Sequence, residues 1–298
     1  MRVFVTGSTG FVGSAVVKEL LAHGHKVLGL VRSDASAKAL AATGADVHRG
    51  SLADLASLRS GVSATDAVLH TAMNHDFSQF AANCAEDARA IEAMGAVLEG
   101  KPMLVTSGVG VLRSGPIGLE SDPPIPNSET YPRASEPTAI ALAARGGRVS
   151  TVRLPPSVHG LGDKGFVPML IALARQKGVS AYIGEGQNRW AAVHRFDAAK
   201  AYRLALEKGV EHGPFNAVAD EGVPFKEIAT VIGKRLNLPV MSKTPEEAAE
   251  HFGWFAMFAG FDVPTSAKHT RELLGWKPIE PGLIADVDQA GYFEGRAT

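Results

Sequence analysis

Residues 6–13 of the chain have the sequence TGSTGFVG, and this stretch decides the fold. An apolar strand pattern in residues 2–5 precedes it, and an amphipathic run that ends at Gly24 follows it. Three glycines at this spacing let the turn close, let the backbone approach a pyrophosphate and let the helix pack on the strand, while the positive end of the helix faces the phosphates. The stretch therefore predicts a strand, a tight turn and a helix that together bind a dinucleotide.

Apolar segments of strand length alternate with helical patterns through the first half of the chain. The predicted strands comprise residues 25–31, 46–49, 67–71 and 103–107, and the predicted helices comprise residues 11–23, 35–42, 52–60, 77–98 and 135–144. This alternation is typical of a parallel sheet that is covered by helices on both faces. We therefore predict an α/β fold, a doubly wound parallel sheet of the Rossmann type with a smaller C-terminal substrate-binding lobe. The Rossmann domain is expected in residues 1–158, joined by parts of residues 190–220, and the lobe in most of residues 159–298.

Composition and charge limit the possible partners. The 298 residues are 45% hydrophobic, which is ample for a full core. A net charge of −1 and a pI near 6.8 give no excess of basic groups for nucleic acid or an anionic membrane. We expect a small-molecule substrate, no nucleic acid, no membrane, no metal, and a monomer or homodimer. With a lone cysteine, no signal peptide and no apolar run of membrane-spanning length, the chain is expected in the cytoplasm.

Five further motifs follow the predicted strands or lie towards the end of the sequence: residues 70–72 (HTA), 105–107 (VTS), 153–160 (RLPPSVHG), 190–199 (WAAVHRFDAA) and 270–278 (TRELLGWKP). Together with residues 6–13 they resemble the short-chain dehydrogenase/reductase superfamily, in its extended or atypical branch that is related to nucleotide-sugar epimerases and dehydratases. The resemblance covers nearly the whole chain. It implies an NAD(P)-binding Rossmann domain and a substrate-binding lobe.

The residue after the second predicted strand bears on the choice of cofactor. An acidic residue here would hydrogen-bond the ribose hydroxyls of NAD, but this strand is followed by Arg32. A guanidinium can pair bidentately with the 2′-phosphate of NADP and stack on the adenine. We therefore expect NADP, with NAD the alternative. The predicted cofactor-binding residues are Gly7, Thr9, Gly10, Phe11, Val12, Gly13, Arg32, Ser51, Leu52, Thr71, Ala72, Pro155 and His159.

The catalytic motif departs from the family pattern. The family's proton donor is a tyrosine four residues before a lysine, whose charge lowers the pKa of the tyrosine. Here Tyr131 is followed four positions later by Ser135, and a shifted alignment puts Pro132 and Glu136 at the two positions. Neither alignment places a lysine at the family's lysine position. The phenol of Tyr131 is therefore expected to keep a pKa near that of free tyrosine, roughly 10.

The serine of the family's catalytic site is also altered. Residues 105–108, VTSG, resemble the family's Thr-Ser-Ser, and Gly108 occupies the position of the last serine. Ser107 is the possible substitute. We predict Ser107 and Tyr131 as the catalytic residues. Other candidates near the carboxyl ends of the strands are Arg133, His159 and His194.

The second half of the chain is expected to cover the cleft. Residues 184–190 form a polar turn, and in the sugar-nucleotide enzymes of the family the corresponding turn precedes a strand that contacts substrate. This resemblance predicts substrate binding by Asn188, Arg189, Trp190 and His194. Residues 245–260 are predicted to form one longer helix rich in aromatic side chains. Such side chains are expected to pack in the core, to form a subunit contact or to line a hydrophobic substrate site.

Two classes of function fit these features. The first is an NADP-dependent oxidoreductase that acts on a carbonyl or hydroxyl of a small metabolite through an unorthodox proton donor. The second is a sensor or regulatory protein that binds NADP but has lost catalysis, which the missing tyrosine and lysine pair favours because fold alone does not establish function. An epimerase or dehydratase acting on a nucleotide-sugar-like substrate is a third, related hypothesis.

Overall fold

The structure is a computed structural model and describes residues 1–112, 117–129 and 131–294. The β-strands are β1 (Arg2–Thr6), β2 (Lys26–Val31), β3 (Asp46–Arg49), β4 (Ala67–His70), β5 (Met103–Gly108), β6 (Val149–Leu154), β7 (Ser157–His159), β8 (Ser180–Ile183), β9 (Arg189–His194), β10 (Phe215–Asn216), β11 (Asp220–Pro224) and β12 (Val240–Lys243). The α-helices are α1 (Phe11–Ala22), α2 (Asp34–Ala41), α3 (Leu55–Ser63), α4 (Phe80–Gly95), α5 (Ser135–Ala144), α6 (Phe166–Lys177), α7 (Arg195–Lys208), α8 (Phe225–Leu236), α9 (Pro245–Phe252), α10 (Ala256–Ala259), α11 (Lys268–Leu274) and α12 (Leu283–Val287).

The central sheet is parallel throughout. Within the described residues it contains seven strands in the order β10-β6-β5-β4-β1-β2-β3. Successive side chains of β1 enter opposite cores, since Val3 and Val5 pack with residues of α1 and α7, whereas Phe4 packs with residues of α3 and α4. Helices therefore cover both faces, and the predicted doubly wound α/β fold is confirmed.

The strand order reverses between β1 and β4. The chain moves outward from β1 through β2 to β3, and then returns to the other side of β1 at β4. In open parallel sheets such a reversal opens a crevice beyond the carboxyl ends of the strands, where ligands bind. This topology places the candidate site at the ends of β1, β4 and β5.

The later part of the chain contributes both to the central sheet with its covering helices and to the C-terminal lobe. Helix α7 packs against α1, and β10 pairs with β6 at the edge of the central sheet. Two small sheets, β11-β9-β7 and β12-β8, lie in the C-terminal lobe. This lobe has its own apolar core, which includes Trp190, Phe225, Phe252 and Phe255. A division of the chain into domains at residue 158 stays a prediction.

Asp197 joins two of the sequence motifs in space. Its side chain is fully buried, and its Oδ2 accepts hydrogen bonds from the backbone N–H groups of Ile279, at 3.0 Å, and Glu280, at 2.9 Å. The indole Nε1 of Trp276 donates to the carbonyl oxygen of Asp197 at 3.0 Å. The motifs in residues 190–199 and 270–278 therefore fix the C-terminal segment against the start of α7.

One predicted helix is interrupted. Residues 245–260 form α9 and α10 with a 3-10 turn between them, because Gly253 ends α9 with φ +56° and ψ −133°. The prediction of one longer helix is therefore wrong. Helix α9 begins with a capping box in which Thr244 and Glu247 satisfy each other's backbone N–H groups. No helix in the described part of the chain is long and apolar enough to cross a membrane.

Candidate cofactor and substrate site

The glycine turn lies between β1 and α1. Gly7 has φ +68°, and a Cβ there would lie 2.8 Å from the backbone nitrogen of Ala72. A Cβ on Gly13 would lie only 2.0 Å from the carbonyl oxygen of Gly7, so the helix packs directly on the turn. A Cβ on Gly10 would approach only that same oxygen, at 3.1 Å. Gly7 and Gly13 are thus required by the fold, whereas the space in front of Gly10 is open.

The first turn of α1 is suited to an anion. The helix has neither a side-chain cap nor an acidic residue in its first turn. The backbone N–H groups of Phe11, Val12 and Gly13 have no acceptor among the described residues. These donors, together with the positive end of the helix, fit the pyrophosphate of a dinucleotide.

Thr71 and Ala72 lie against the turn. The hydroxyl of Thr71 donates to the carbonyl oxygen of Thr6 at 2.7 Å, and the backbone N–H of Ala72 donates to Thr6 Oγ1 at 3.3 Å. The structure therefore brings together predicted cofactor residues from the two strands between which the sheet order reverses. Thr9 is exposed at the tip of the turn.

Arg32 directly follows β2 at the same edge of the sheet. It is exposed and makes no hydrogen bond or ion pair with any residue that the structure describes. Ser51 and Leu52 follow β3, whose last residue, Arg49, pairs with Val31 at the end of β2. The guanidinium of Arg32 is therefore available to a ligand beside Ser51 and Leu52.

Arg195, the first residue of α7, approaches the start of α1, and His159 lies on β7. The guanidinium carbon of Arg195 lies 4.8 Å from the ring centroid of Phe11, at the start of α1. His159 is fully buried, with its Nδ1 2.8 Å from Asp286 Oδ2, while its Nε2 has no partner among the described residues. Pro155 is buried directly after β6. Cofactor contacts by Pro155 and His159 stay predictions.

A buried polar network connects the glycine turn to the start of α5. His70 has its Nδ1 2.8 Å from Thr6 Oγ1 and its Nε2 2.8 Å from Asp87 Oδ1. The hydroxyl of Ser135 donates to Asp87 Oδ2 at 2.6 Å, and Arg133 Nε donates to that hydroxyl at 3.2 Å. Burial alone would raise the pKa of Asp87, but its hydrogen bonds with His70 and Ser135 outweigh burial and lower it. The network fixes Arg133 relative to β1 and β4.

Ser107 and Gly108 end β5 beside this network. Ser107 is 2% exposed, and its hydroxyl has no hydrogen-bond partner in the described part of the chain. A Cβ on Gly108 would meet nothing closer than the carbonyl oxygen of Leu154 at 3.5 Å, so a side chain would fit there. The position of the family's serine is therefore open space in this protein.

Tyr131 lies just before α5 and packs against the main core. A tight turn holds it, in which its backbone N–H bonds to the carbonyl oxygen of Ser128 at 3.1 Å. Burial raises the pKa of Tyr131 to about 12, and the positive charge of Arg133 offsets only part of this rise. The expectation of an unperturbed pKa is therefore wrong. At this pKa the phenol stays protonated at neutral pH, and a catalytic role for Tyr131 stays a prediction.

Glu136, which occupies the family's lysine position in one alignment, forms a structural ion pair. Both Glu136 and Arg153 of β6 have side chains that are 1% exposed, and Arg153 Nη2 lies 2.6 Å from Glu136 Oε1. Arg153 also donates to the carbonyl oxygens of Leu119, Glu120 and Asp122. The position therefore joins α5, β6 and the segment around residue 120 and supplies no cation to Tyr131.

Two residues that were predicted to bind substrate serve the lobe itself. Trp190 is fully buried, and its Nε1 donates to the carbonyl oxygen of Phe258 at 3.2 Å. Asn188 Nδ2 donates to the carbonyl oxygens of Ala259, at 2.8 Å, and Phe261, at 2.9 Å. The indole of Trp190 and the Nδ2 group of Asn188 thus have partners within the lobe, and substrate binding by these two residues stays a prediction.

Arg189 and His194 also have protein partners. Arg189 Nε lies 2.9 Å from Asp262 Oδ1. His194 is 7% exposed and its Nδ1 accepts a bond from the backbone N–H of Phe196 at 3.4 Å. Burial lowers the pKa of His194, and the nearby His159 lowers it further. Substrate binding by Arg189 and His194 stays a prediction.

Four rings join the segment after β4 to the C-terminal lobe, and we call them the aromatic cluster: Phe77, Phe166, Trp254 and Phe258. Phe77 stacks on Trp254 with 5.2 Å between ring centroids, and it also contacts Phe166 and Phe258. Trp254 is 55% exposed. Phe252 and Phe255 of the same region are instead in the core of the lobe. The aromatic residues thus serve both a core and a partly exposed apolar surface.

The sequence did not indicate the pair of His70 and Asp87, nor the place of Arg195 beside Phe11. His70 and Asp87 are 17 positions apart, on a strand and a helix, and no local spacing rule connects them. The HTA motif gave the only signal for His70. No group of three or more His, Cys, Asp or Glu side chains in the described ranges is arranged to hold a metal ion.

Comparisons with known proteins agree with this geometry. A sequence model of the NAD dependent epimerase/dehydratase family matches residues 3–217. The chain is 50% identical to an uncharacterized protein of Schizosaccharomyces pombe, over 98% of this chain and 100% of that protein. It is 34% identical to a 2-alkyl-3-oxoalkanoate reductase of Stenotrophomonas maltophilia, over 70% of this chain and 66% of that protein. The dTDP-glucose 4,6-dehydratase DesIV from Streptomyces venezuelae, solved with NAD and TYD bound, has a similar fold, with a TM-score of 0.75, 20% identity and coverage of 99% of this chain and 98% of that chain.

Proposed function

This chain belongs to the NAD-dependent epimerase/dehydratase family, and on that premise we propose that it is an NADP-dependent oxidoreductase that reduces a carbonyl group of a small metabolite. The observation that carries the proposal is the shared position of the anion-binding glycine turn and of Ser107 at one edge of the sheet. Because β5 is two strands from β1, Ser107 lies roughly 10 Å across the sheet from the turn. A bound cofactor and a substrate would therefore meet at this edge.

Arg32 supports the choice of NADP. It follows β2, where an acidic residue would serve NAD, and its guanidinium has no partner among the described residues. A 2′-phosphate would supply the missing counter-charge through bidentate hydrogen bonds. NADP is therefore the cofactor that we propose for this chain.

The cofactor and the residues of the cleft have separate roles in the proposed reduction. NADP(H) at the glycine turn would supply or accept the hydride. The unpartnered hydroxyl of Ser107 can donate a hydrogen bond to the substrate oxygen and orient the carbonyl. Tyr131, whose pKa is about 12, stays protonated and can deliver a proton to that oxygen as negative charge develops on it. At neutral pH the phenol supports carbonyl reduction and is a poor base for oxidation.

The relatives support redox chemistry of this type. One of them is a 2-alkyl-3-oxoalkanoate reductase, whose name describes the reduction of an oxo acid. The likeness to the dTDP-glucose dehydratase, at 20% identity, concerns the fold and gives no support for a nucleotide-sugar substrate. Reduction of a carbonyl therefore ranks ahead of epimerisation or dehydration in our proposal.

A second candidate function, an NADP-binding sensor without catalysis, is favoured by two altered positions of the catalytic motif. The family's lysine position is used for the buried Glu136–Arg153 ion pair, and the family's serine position is Gly108. No cation of the usual kind activates the phenol. The sensor hypothesis therefore predicts tight NADPH binding without any turnover.

The two candidates are separated by the phenol of Tyr131. NADPH oxidation is measured with a panel of aldehydes, ketones and oxo acids, and NADPH affinity is measured by calorimetry on the same samples. For a reductase, Tyr131→Phe should lower turnover by roughly 100-fold or more and leave the NADPH affinity unchanged. Tyr182→Phe, in the lobe, is the matched control and should change neither. NADPH binding without turnover on any carbonyl would instead support the sensor, and turnover unaffected by Tyr131→Phe would remove this tyrosine from the mechanism.

A further inference from the structure

Arg133 is a half-buried cation without an ionic partner in the described part of the chain. Its one hydrogen bond runs from Nε to the hydroxyl of Ser135 at 3.2 Å. The carboxylate of that network, Asp87, is occupied by His70 and Ser135. The two terminal amino groups of the guanidinium therefore have no acceptor among the described residues. A partly desolvated guanidinium with free amino groups is suited to bind an anion.

The surroundings of Arg133 place it in the cleft. Burial raises the pKa of Cys84 on α4 and that of Tyr131 before α5, and in both cases the positive charge of Arg133 counteracts the rise. Desolvation lowers the pKa of His75, and Arg133 lowers it further. The hydrogen bonds from Arg133 to Ser135, from Ser135 to Asp87 and between Asp87 and His70 place the guanidinium near the start of α5, beside α4 and the end of β4. These are the segments that border the ends of β4 and β5.

An apolar surface adjoins this cation. The ring of His75 lies 6.3 Å from that of Phe77, which belongs to the aromatic cluster. Phe77 in turn stacks on the partly exposed Trp254. One side of the cleft therefore presents a guanidinium that forms no direct ion pair with any described residue, and the neighbouring side presents aromatic rings.

We propose that Arg133 binds the carboxylate of an oxo-acid substrate whose apolar body lies against the aromatic cluster. The proposal rests on the proposed function, because it names the substrate class of the same site. The terminal amino groups of a guanidinium match the two oxygens of a carboxylate, while Nε remains bonded to Ser135. The network from Thr6 to Ser135 holds the arginine in place before the ligand arrives, which reduces the entropy lost on binding.

The test uses phenylpyruvate as the probe and its methyl ester as the neutral analogue. Each is titrated calorimetrically into the full chain saturated with NADP+, a state in which the carbonyl cannot be reduced. The native protein should bind phenylpyruvate roughly 10- to 100-fold more tightly than the ester. Arg133→Gln should lower the affinity for the acid to that for the ester, and Arg133→Lys should retain part of the preference.

Arg145→Gln is the matched control, because it removes an exposed arginine directly after α5 that pairs with Glu92, and it should leave the preference for the acid intact. Equal binding of acid and ester by the native protein, no binding of phenylpyruvate, or an unchanged preference in a folded Arg133→Gln protein would each overturn the inference. NADP+ affinity, measured first on every variant, tests the proposed function separately. Normal NADP+ binding without a preference for the acid would refute the role of Arg133 alone.

Discussion

At the residue scale, Gly10 and Gly13 belong to the same motif but have different roles: Gly10 leaves space for the cofactor, and Gly13 lets the helix pack on the turn. A Cβ at position 13 would collide with the backbone of Gly7 at 2.0 Å, whereas one at position 10 would only crowd the carbonyl oxygen of Gly7 at 3.1 Å. Gly10→Val should therefore leave the melting temperature nearly unchanged and abolish measurable NADPH binding, because the side chain fills the space of the pyrophosphate. Gly13→Val should destabilise the fold by about 1–3 kcal/mol or more.

Thermal unfolding and NADPH calorimetry on the two variants check this assignment. An unaltered NADPH dissociation constant in a folded Gly10→Val protein would show that the nucleotide binds elsewhere. A Gly13→Val protein as stable as the native chain would show that the helix does not pack on the turn as described.

Arg32 carries the expected cofactor preference. Losing a charge-assisted bidentate contact with the 2′-phosphate should weaken NADPH binding by about 1.5–3 kcal/mol in Arg32→Ala and should leave NADH binding unchanged. Arg59→Ala, which removes another exposed arginine, is the control and should alter neither affinity. Competition binding with both nucleotides measures the difference. Equal affinities for NADPH and NADH in the native protein would contradict the assignment.

Sequence reasoning at this scale succeeded where the requirement is local. Gly7 needs a positive φ and Gly13 a close approach, and both needs follow from the motif itself. Trp190 could not be placed in the same way, because its hydrogen-bond partner, Phe258, is 68 positions away. The burial of Tyr131, which raises its pKa, likewise depends on packing that the neighbouring residues do not encode.

At the scale of elements, the Glu136–Arg153 pair joins α5 to β6. Glu136→Gln should destabilise the protein by about 3–5 kcal/mol, because it leaves Arg153 charged, buried and without its carboxylate. The double variant Glu136→Met and Arg153→Met should lose less than the sum of the single losses. Urea unfolding of the native protein, of the single variants Glu136→Met and Arg153→Met and of the double variant forms a double-mutant cycle that measures the coupling. Additive losses would indicate that the two side chains do not interact.

Asp87 joins α4 to β4 and gives this part of the fold a pH dependence. Burial acts to raise the pKa of the carboxyl, but the hydrogen bonds with His70 and Ser135 lower it overall. A lowered pKa in the folded state contributes stability that is complete above the ordinary value of about 3.9 and is lost as the pH falls through the folded value. Asp87→Asn should therefore be less stable than the native protein near neutral pH, and this difference should shrink in acid.

Urea unfolding over a pH series measures the effect of Asp87. Ser135→Ala, which removes one hydrogen bond to the carboxylate and keeps that with His70, should show a smaller version of the same trend. A difference in stability between Asp87→Asn and native protein that stays constant from acid to neutral pH would contradict the lowered pKa.

Element bounds were predictable where periodicity is strong. The structure places β3 and α5 at the predicted residues 46–49 and 135–144 and α1 within one residue of its predicted end. The break in residues 245–260 was missed because the apolar pattern continues through Gly253, whose positive φ only the fold requires.

At the scale of the whole molecule, alternating strand and helix patterns predicted a doubly wound sheet, and the order β10-β6-β5-β4-β1-β2-β3 confirms it. Right-handed crossovers leave few arrangements for such a pattern, so topology followed from local signals. The approach of Arg195 to Phe11 and the junction of Phe77 with Trp254 did not follow, since each joins segments far apart in sequence. The edge of the sheet was therefore predictable, but the side chains that converge on it from the lobe were not.

The proposed transfer of a hydride from NADPH to a carbonyl carbon can be followed with an isotope label. The protein is incubated with NADPH that carries deuterium at its transferable position and with a panel of ketones and oxo acids that includes phenylpyruvate, and the products are analysed by mass spectrometry. We predict an alcohol or hydroxy acid with one deuterium on the former carbonyl carbon, formed far more slowly by Tyr131→Phe. NADPH that binds tightly while no product acquires deuterium would contradict it.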